Sequence, residues 1–326
     1  MKALKITGLV ILVIVILGFA AVLYVTEALP DTGPPPDISI ERTPERIERG
    51  RYLANHVTIC MDCHSTRDWA KYAGPIAPNG GFGAGGEEFN PTMGFPGTFY
   101  APNITPYSLG KWTDGEILRA VTTGVSKDGR ALFPLMGYHR FGKMDKEDIY
   151  SIIAYLRTLG PVEKQIPLSK AEFPVSLLLH TMPAPATFTT IPASTDRLKY
   201  GAYLINAAGC GECHSQVEKG QVIEGTEFGG GREFFMRGGI IRSANITFDA
   251  ETGIGNWTPE MFISRFKNMT DSTNAFRPLK PKELNTPMPW VVYGGMKTDD
   301  LDAIYTYLKS LPPKKHKVQL RQLSEK

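Results

Sequence analysis

Cysteine is scarce in this sequence. The 326 residues include only four cysteines, which form two close pairs, and each pair is followed at once by a histidine. A fold built on structural disulfides would carry more cysteines and distribute them more evenly. The sequence therefore argues against a disulfide framework and directs attention to the two short motifs.

An excess of charge of one sign is also lacking. The formal net charge is +3 and no long basic run occurs, so nucleic-acid binding has little support. The locally basic residues 314–317 are interpreted as a solvated end, within a predicted C-terminal tail at residues 314–326. A hydrophobic content of 42 % and this chain length are typical of a globular protein with about two domains.

Strand-like alternation of apolar and polar residues is weak, whereas helical spacing is clear. Thr43 can cap a helix that has Pro44 at its first position and runs to about Asn55. Residues 74–98 are rich in glycine and proline and are interpreted as a loop. The predicted fold class is all-α. Two further helices are indicated by apolar residues at helical spacing, namely Ile149, Ile152, Ile153, Leu156 and Leu159, and Leu301, Ile304, Leu308 and Leu311.

An uncharged run rich in Leu, Ile and Val occupies residues 6–25, behind Lys2 and Lys5. About 20 such residues span the hydrocarbon of a bilayer as a helix, and the basic end is expected to stay cytoplasmic. A cleaved signal peptide is the alternative, although its apolar region is shorter. A retained anchor and a cleaved signal peptide would each place the rest of the chain outside the cytoplasm. We predict a membrane anchor at residues 1–29 and a spacer at residues 30–42.

The remaining chain is a tandem repeat with an offset of about 150 residues. One domain copied in tandem explains the pattern. It predicts domains at residues 43–161 and 195–313, joined by a linker at residues 162–194. A short apolar patch in this linker, residues 175–179, is expected to pack across the domain interface. The matched segments include 49–55 with 200–206, 60–64 with 210–214, 103–105 with 245–247, and 154–157 with 306–309.

The motif C-x-x-C-H occurs at Cys60, Cys63 and His64, and again at Cys210, Cys213 and His214. This motif marks covalent attachment of haem c: the two thiols form thioethers with one porphyrin, and the histidine supplies an imidazole nitrogen to the iron. A redox-active dithiol or half of a zinc site would also use C-x-x-C, but neither requires the histidine. Two haem c groups are therefore the predicted cofactors.

A methionine opposite each histidine would give a low-spin haem suited to electron transfer. Met136 and Met288 lie in loops shortly after a proline, where the side chain can point at iron. With the two motif histidines they complete the predicted iron ligands. Met144 and Met296 are alternatives, although each could equally cap the core. His139 is a rival ligand, but the second copy has valine at its counterpart, so His139 is interpreted as a surface residue.

Other repeated residues are candidates for holding the haems. Trp112 and Trp257 are large enough to wall a haem edge, with an indole N–H free to bond a propionate; plain core packing is the alternative. Asn103 and Asn245 each precede Ile-Thr and could bond propionates or order a turn.

Gly50 and Gly201 occupy the first predicted helix of each copy. Glycine permits another backbone to approach closely. We expect the last helix of each copy to cross there, at residues 155–156 and 307–308.

Two longer strings carry a family resemblance. Residues 245–257 (NITFDAETGIGNW) and 124–136 (GVSKDGRALFPLM) resemble the cytochrome c subunits of membrane-bound bacterial alcohol, aldehyde and gluconate dehydrogenases, and the likeness covers about residues 45–312. The resemblance implies tandem small helical domains with His/Met haems. It also implies electron transfer from a partner dehydrogenase towards quinone or another cytochrome in the periplasm. The better-known subunits carry three haems, whereas this chain has motifs for two.

The predicted function is therefore electron transfer in which no covalent bond of a substrate is made or broken. The protein is expected to be an electron carrier and not an enzyme. The expected partners are redox proteins: a dehydrogenase, a quinol-oxidising complex or a terminal oxidase. The anchor would hold the soluble domains at the periplasmic side of the membrane. Two alternatives stay open, a dihaem enzyme such as a peroxidase, which needs an open iron position, and a haem-based sensor.

Overall fold

The structure is a computed structural model that describes residues 2–324. Met1 of the predicted anchor and residues 325–326 of the predicted tail lie outside the described residues. The chain opens with one long helix, α1, Lys2–Ala28. Its apolar side chains face outward, and it is long and apolar enough to cross a membrane, a property that a signal sequence shares.

Helices dominate the rest of the described chain. After α1 come α2 (Pro44–Tyr52), α3 (Cys60–Cys63), α4 (Pro106–Leu109), α5 (Asp114–Thr123), α6 (Tyr138–Phe141), α7 (Lys146–Leu156), α8 (Val175–Leu178), α9 (Arg197–Ala208), α10 (Cys210–Cys213), α11 (Pro259–Lys267), α12 (Ser272–Ala275), α13 (Trp290–Gly294) and α14 (Thr298–Ser310). A π-helical turn, Leu53–Val57, continues α2, and 3₁₀ turns occur at Pro91–Met93, Pro134–Met136 and Leu179–Thr181. As predicted, Thr43 caps α2 by accepting from the Arg46 N–H at 3.2 Å.

Short strands qualify the all-α prediction. The strands are β1 (Glu88–Phe89), β2 (Gly97–Tyr100), β3 (Lys170–Ala171), β4 (Val217–Glu218), β5 (Gln221–Val222), β6 (Glu233–Met236), β7 (Gly239–Arg242) and β8 (Arg321–Leu323). They form antiparallel sheets in the orders β1-β2-β3, β4-β5 and β6-β7-β8. Within residues 2–324 none exceeds four residues, too short for a period of two to show in the sequence.

The C-terminal tail is docked on residues 195–313, although Lys315, Lys317 and the side chains of β8 are exposed, as a solvated end would be. β8 pairs with β7, and the Lys314 N–H donates to the Thr247 hydroxyl at 3.0 Å. The His316 Nδ1 lies 2.9 Å from the Gly229 carbonyl. The tail therefore completes a sheet instead of extending into solvent.

We call residues 43–161 the first half and residues 195–313 the second half. In each half the first and last helices cross at a glycine. A Cβ added to Gly50 would lie 1.7 Å from the Ser151 carbonyl oxygen, and one added to Gly201 would lie 2.1 Å from that of Ala303. In the first half the crossing point is one turn before the predicted residues 155–156. In the second half the prediction is closer to the structure, because the Cβ of Tyr307, one of the two predicted crossing residues, lies 2.9 Å from the added atom.

The two halves meet through a reciprocal pair of buried hydrogen bonds. The Tyr52 hydroxyl of the first half donates to Asp300 of the second at 2.5 Å, and the Tyr203 hydroxyl of the second donates to Asp148 of the first at 2.6 Å. We call these bonds the crossed tyrosine–aspartate contacts. Because both tyrosines and both aspartates occupy matching places in the repeat, the interface is close to two-fold symmetric.

The reciprocity extends beyond these side chains. The Lys297 N–H donates to the Tyr52 hydroxyl at 3.0 Å, and the Asp145 N–H donates to the Tyr203 hydroxyl at 3.2 Å. Each aspartate also binds the first helix of its own half, since Arg49 donates to Asp148 twice, at 2.8 and 2.7 Å, and Tyr200 donates to Asp300 at 3.1 Å. Each buried carboxylate thus has partners in both halves, which offsets the cost of removing it from water.

The linker follows the first half. Its strand β3 pairs with β2, and the Thr187 N–H donates to the Gly142 carbonyl at 2.8 Å. Between these points α8, which contains the predicted apolar patch, contacts β3 and the N-terminal helix α1. The patch was expected to pack across the domain interface, but α8 contacts β3, α1 and the adjoining 3₁₀ turn.

We expect Gly50→Ala to lower the free energy of unfolding by about 3 kcal/mol, because the added methyl overpacks a contact that cannot widen without a backbone shift. Chemical unfolding followed by far-ultraviolet circular dichroism measures this change. Gly160→Ala is the matched control, since a Cβ there meets no atom within 4 Å. Equal stability of the two variants would contradict the tight crossing.

Tyr203→Phe is expected to cost about 2 kcal/mol of unfolding free energy, because it removes a donor from a buried carboxylate and an acceptor from a backbone N–H. Tyr52→Phe should cost a similar amount, since it breaks the reciprocal contact. Tyr107→Phe, at a tyrosine that is 39 % exposed, serves as the control. If all three variants unfolded at the same denaturant concentration, the crossed contacts would not stabilise the interface.

Candidate cofactor sites

Each C-x-x-C pair forms a single helical turn. α3 begins at Cys60 after Ile59, whose φ is 53°, and α10 begins at Cys210 after Gly209, whose φ is 74°. These left-handed residues turn the chain sharply out of the preceding helical segment. Cysteines three apart in a helical turn lie on one face, so both thiols of a pair are able to reach one ligand.

The two motif histidines are held in the same way. The His64 Nδ1 lies 2.7 Å from the Pro102 carbonyl, and the His214 Nδ1 lies 2.7 Å from the Ala244 carbonyl. A carbonyl only accepts, so Nδ1 carries the proton and Nε2 keeps its lone pair. Burial lowers the pKa of both imidazoles, which favours the neutral, ligating form. Each histidine is therefore oriented as a metal ligand needs to be.

The thiols do not resemble a reactive dithiol. Within the described residues all four cysteines are free of disulfides. Burial raises the pKa of Cys60 and Cys213, and it raises those of Cys63 and Cys210 to about 12. A redox-active pair has a lowered thiol pKa. No group of three or more His, Cys, Asp or Glu side chains suited to a metal ion occurs in residues 2–324, and a zinc site needs such a group.

The candidate methionines differ in burial. Met144 and Met296 are 0 % and 1 % exposed and lie in the hydrophobic core. Met136, at the end of a 3₁₀ turn, and Met288 are only partly buried against that core. His139 is exposed. Met136 and Met288 therefore have side chains that the core does not enclose, and their role as iron ligands stays a prediction.

The tryptophans and asparagines have different surroundings. Trp112 and Trp257 are partly buried on the core, and within the described residues their indole N–H groups have no hydrogen-bond partner. Contact with a propionate stays a prediction for them. Asn103 accepts from the Thr105 N–H and hydroxyl through Oδ1, at 2.9 and 2.7 Å, and its amide group donates to two carbonyls of residues 162–164.

Asn245 is held in the same manner. Its Oδ1 accepts from the Thr247 N–H at 2.9 Å, and its Nδ2 donates to the Lys314 carbonyl at 2.7 Å. Both asparagines order a turn and fasten a later segment, which is one of the two predicted uses. Since the Asn103 amide donors are occupied and the Asn245 amide is engaged, the structure offers little for the other use, a propionate contact.

Asn285 is a site residue that sequence reasoning missed. Its side chain precedes Met288 by three residues and is buried, yet it binds the first half. Nδ2 donates to the carbonyls of Trp69 and Lys71 at 3.1 and 2.8 Å, and Oδ1 accepts from the Ala73 N–H at 2.7 Å. A segment of the first half therefore fixes the methionine loop of the second half.

The matching position of the first half is Phe133, which uses a different contact. Its ring stacks on Phe99 with centroids 4.0 Å apart, so that loop is fixed within its own half. The difference explains why comparison of the repeats gave no signal for Asn285. Because Asn285 is polar and Phe133 is aromatic, the two positions do not match when the repeats are compared.

Arg140 was also missed, and it connects the first half to the second motif. Its Nη1 donates to the carbonyls of Asn206 and Ala207 at 3.1 and 2.8 Å, and its Nε lies 2.8 Å from Glu212 inside the second motif. Its positive charge acts to lower the pKa of both Cys60 and Cys210. One cation of the first half therefore lies near the cysteines of both motifs.

Comparison with curated proteins gives several relatives. The chain is 28 % identical over 293 residues to the cytochrome c subunit of a quinone-dependent alcohol dehydrogenase of Gluconacetobacter polyoxogenes, covering 82 % of this chain and 56 % of the relative. It is 28 % identical to the cytochrome c subunit of gluconate 2-dehydrogenase of Pantoea cypripedii, covering 82 % and 60 %. A diheme cytochrome c-type protein of Cereibacter sphaeroides is 26 % identical, covering 48 % and 53 %. No family model matches the chain.

The chain is similar to the cytochrome c subunits of bacterial dehydrogenases. The resemblance expected from the sequence is thereby confirmed. The chain spans about half the length of the curated relatives that it matches. Similarity to cytochromes c implies covalently bound haem c, and it supports electron transfer in general terms.

The residues present fit a haem c at each motif of this cytochrome c-like chain. Each site has two thiols on one helical turn and a neutral imidazole with a free Nε2. In the first half the Tyr138 hydroxyl, two residues after Met136, is buried without a partner among the described residues. A buried hydroxyl without a partner costs free energy unless a bound group accepts a hydrogen bond from it. The donor set is therefore what a porphyrin with iron would require.

We expect Asn285→Ala to increase amide hydrogen exchange of Ala73 about tenfold, because the N–H loses its acceptor and the loop loses two further bonds. Exchange measured by mass spectrometry on the haem-loaded protein tests this. Asn256→Ala, which removes one bond inside an exposed loop of the second half, is the control. Unchanged exchange of residues 69–73 in Asn285→Ala would show that the contact does not join the halves.

Proposed function

We propose that this chain is a membrane-anchored cytochrome c with two covalently bound haems, which relays electrons between a redox donor and an acceptor. The observation that carries the proposal is the pair of buried histidines, each with Nδ1 bound to a backbone carbonyl and each next to a C-x-x-C turn. The same arrangement occurs twice in one chain. Similarity to a diheme cytochrome over part of the chain supports two haems.

In this proposal each half holds one haem. The first haem would be held by Cys60, Cys63, His64 and Met136. The second would be held by Cys210, Cys213, His214 and Met288. The haem supplies a one-electron redox couple when bound.

The polypeptide performs the remaining tasks. The carbonyls of Pro102 and Ala244 keep the histidines in one tautomer and orientation. Met136 and Met288 pack partly against the core, which positions their side chains without enclosing them. Arg140, near both motifs, adds a positive charge that favours the reduced, less positive state of a nearby iron. These contributions support electron transfer without substrate chemistry.

The two halves are proposed to be tandem cytochrome c domains, with boundaries at residues 43–161 and 195–313. The crossed tyrosine–aspartate contacts support a fixed relative orientation of the domains. Arg140 supports proximity of the two cofactor sites, since its side chain spans from the first half to the second motif. A fixed, close pair of sites is what a two-step relay requires.

The proposed location is the outer face of a bacterial inner membrane, with α1 as the anchor and the two domains in the periplasm. The proposed partner is a dehydrogenase, since the relatives are cytochrome subunits of dehydrogenases. A quinol-oxidising complex or a terminal oxidase would be the second partner. Tethering would raise the local concentration of the domains near such partners.

Methionine ligation is tested by Met136→Ala and Met288→Ala in the mature, haem-loaded chain. Each variant should retain two covalent haems by mass, lose one upfield-shifted methionine methyl resonance in the NMR spectrum of the reduced protein, and bind carbon monoxide at one haem. The reduction potential of that haem should fall, because methionine ligation raises it.

Met261→Ala is the control, since Met261 is 50 % exposed on α11. It should leave both methyl resonances and both potentials unchanged. A mature protein without covalent haem would overturn the proposed function. Unchanged resonances in Met136→Ala and Met288→Ala would overturn the ligand assignment, and carbon monoxide binding by the unsubstituted chain would favour an enzyme or sensor.

A further inference from the structure

Large apolar side chains are exposed in the linker. Phe173 is 81 % exposed and Leu178 is 49 % exposed. Both belong to a short segment, residues 172–181, which contains α8 and the 3₁₀ turn Leu179–Thr181; we call it the linker foot. Single exposed apolar residues need no explanation, but a group of them at one place marks an interaction surface.

The linker foot lies against the N-terminal helix. Both α8 and the 3₁₀ turn contact α1. Val25, near the end of α1, is only partly exposed, whereas residues 4–24 are exposed. The apolar run of α1 ends at residue 25, so this contact falls where the hydrocarbon of a bilayer would give way to the headgroups. With α1 across a bilayer, the foot would lie at the depth of the membrane interface.

The first half fixes the foot on both sides. Before it, β3 pairs with β2 and the Glu172 N–H donates to the Pro96 carbonyl at 2.9 Å. After it, the Thr187 N–H donates to the Gly142 carbonyl at 2.8 Å. A segment fastened in this way holds its apolar residues at a set position relative to the first half.

We propose that the linker foot inserts Phe173 and Leu178 into the interfacial region of the bilayer beside α1. The proposal rests on the proposed function, because it takes α1 as a retained membrane anchor. Aromatic and aliphatic side chains next to a polar backbone suit the interfacial region. Lys170, shortly before the foot, and Glu172, its first residue, carry opposite charges, so the attraction is apolar and needs no anionic lipid.

The consequence is a second point of attachment. A single helix permits the soluble part to tilt and rotate about its spacer, whereas a helix and a foot together restrict both motions. The foot therefore sets the orientation of the two halves relative to the membrane, and with it the surface that a membrane partner meets.

Spin-label depth measurement tests the insertion. The full haem-loaded chain carries its native cysteines as thioethers, so a cysteine in Phe173→Cys is the one thiol available for a nitroxide. The labelled protein is placed in nanodiscs of phosphatidylcholine, and accessibility to oxygen is compared with accessibility to a water-soluble nickel complex. Phe276→Cys is the control, since Phe276 is a 47 % exposed phenylalanine of the second half.

The expected result is higher oxygen than nickel accessibility at position 173 and the reverse at position 276. Equal nickel accessibility at the two positions would place the foot in water and overturn the proposal. Low accessibility to both reagents at position 173 would mean that protein covers the foot, which overturns it as well. The haem absorption spectrum and incorporation into nanodiscs, recorded on the same samples, report separately on the proposed function and on the anchor.

A second variant guards against perturbation by the label. Phe173→Asp combined with Leu178→Asp should broaden the orientation of the haems in aligned membranes, seen as a fall in linear dichroism, while the haem spectrum in detergent stays unchanged. Phe276→Asp should leave the dichroism unaltered. Equal dichroism in all these variants and the unsubstituted protein would overturn an orienting role for the foot.

Discussion

The close crossing of the first and last helices in each half is the constraint from which the rest of the structure follows. At Gly50 and Gly201 the opposing carbonyl lies where any side chain would have to be, so the two helices have essentially one way to meet. The C-x-x-C-H motif follows shortly after the first helix, and the candidate methionine precedes the last helix. A fixed crossing therefore fixes the two ends between which a cofactor would bind.

The interface between the halves adds a second level of order. The crossed tyrosine–aspartate contacts are nearly symmetric, but the contacts closer to the motifs are not. Asn285 and Glu212 of the second half depend on the first half for their partners, whereas in the first half Phe133 stacks on Phe99 and Asp62 pairs with Arg67 at 3.1 Å. The second candidate site is thus supported by both halves, and the first candidate site is supported mainly by its own half.

Much of this architecture could be predicted from the sequence, because its signals are local. The cap at Thr43, the helices near residues 149 and 301, and the glycine crossings follow from short patterns that the structure bears out, apart from a shift of one turn at Ser151. The resemblance to dehydrogenase cytochrome subunits was likewise carried by contiguous strings. The strands were not predicted because segments of two to four residues are too short to show an alternation of apolar and polar residues. The roles of Asn285, Arg140 and the tail escaped because they depend on partners distant along the chain.

The two histidine-binding loops are completed by different parts of the chain. The turn after Pro102 is fastened through Asn103 to residues 162–164, whereas the turn after Ala244 is fastened through Asn245 to Lys314. Synthesis proceeds from the N-terminus, so the support for His64 is available once the linker has emerged. The support for His214 waits for Lys314, near the end of the described chain. The segment that completes the turn beside His64 is therefore synthesised well before the segment that completes the turn beside His214.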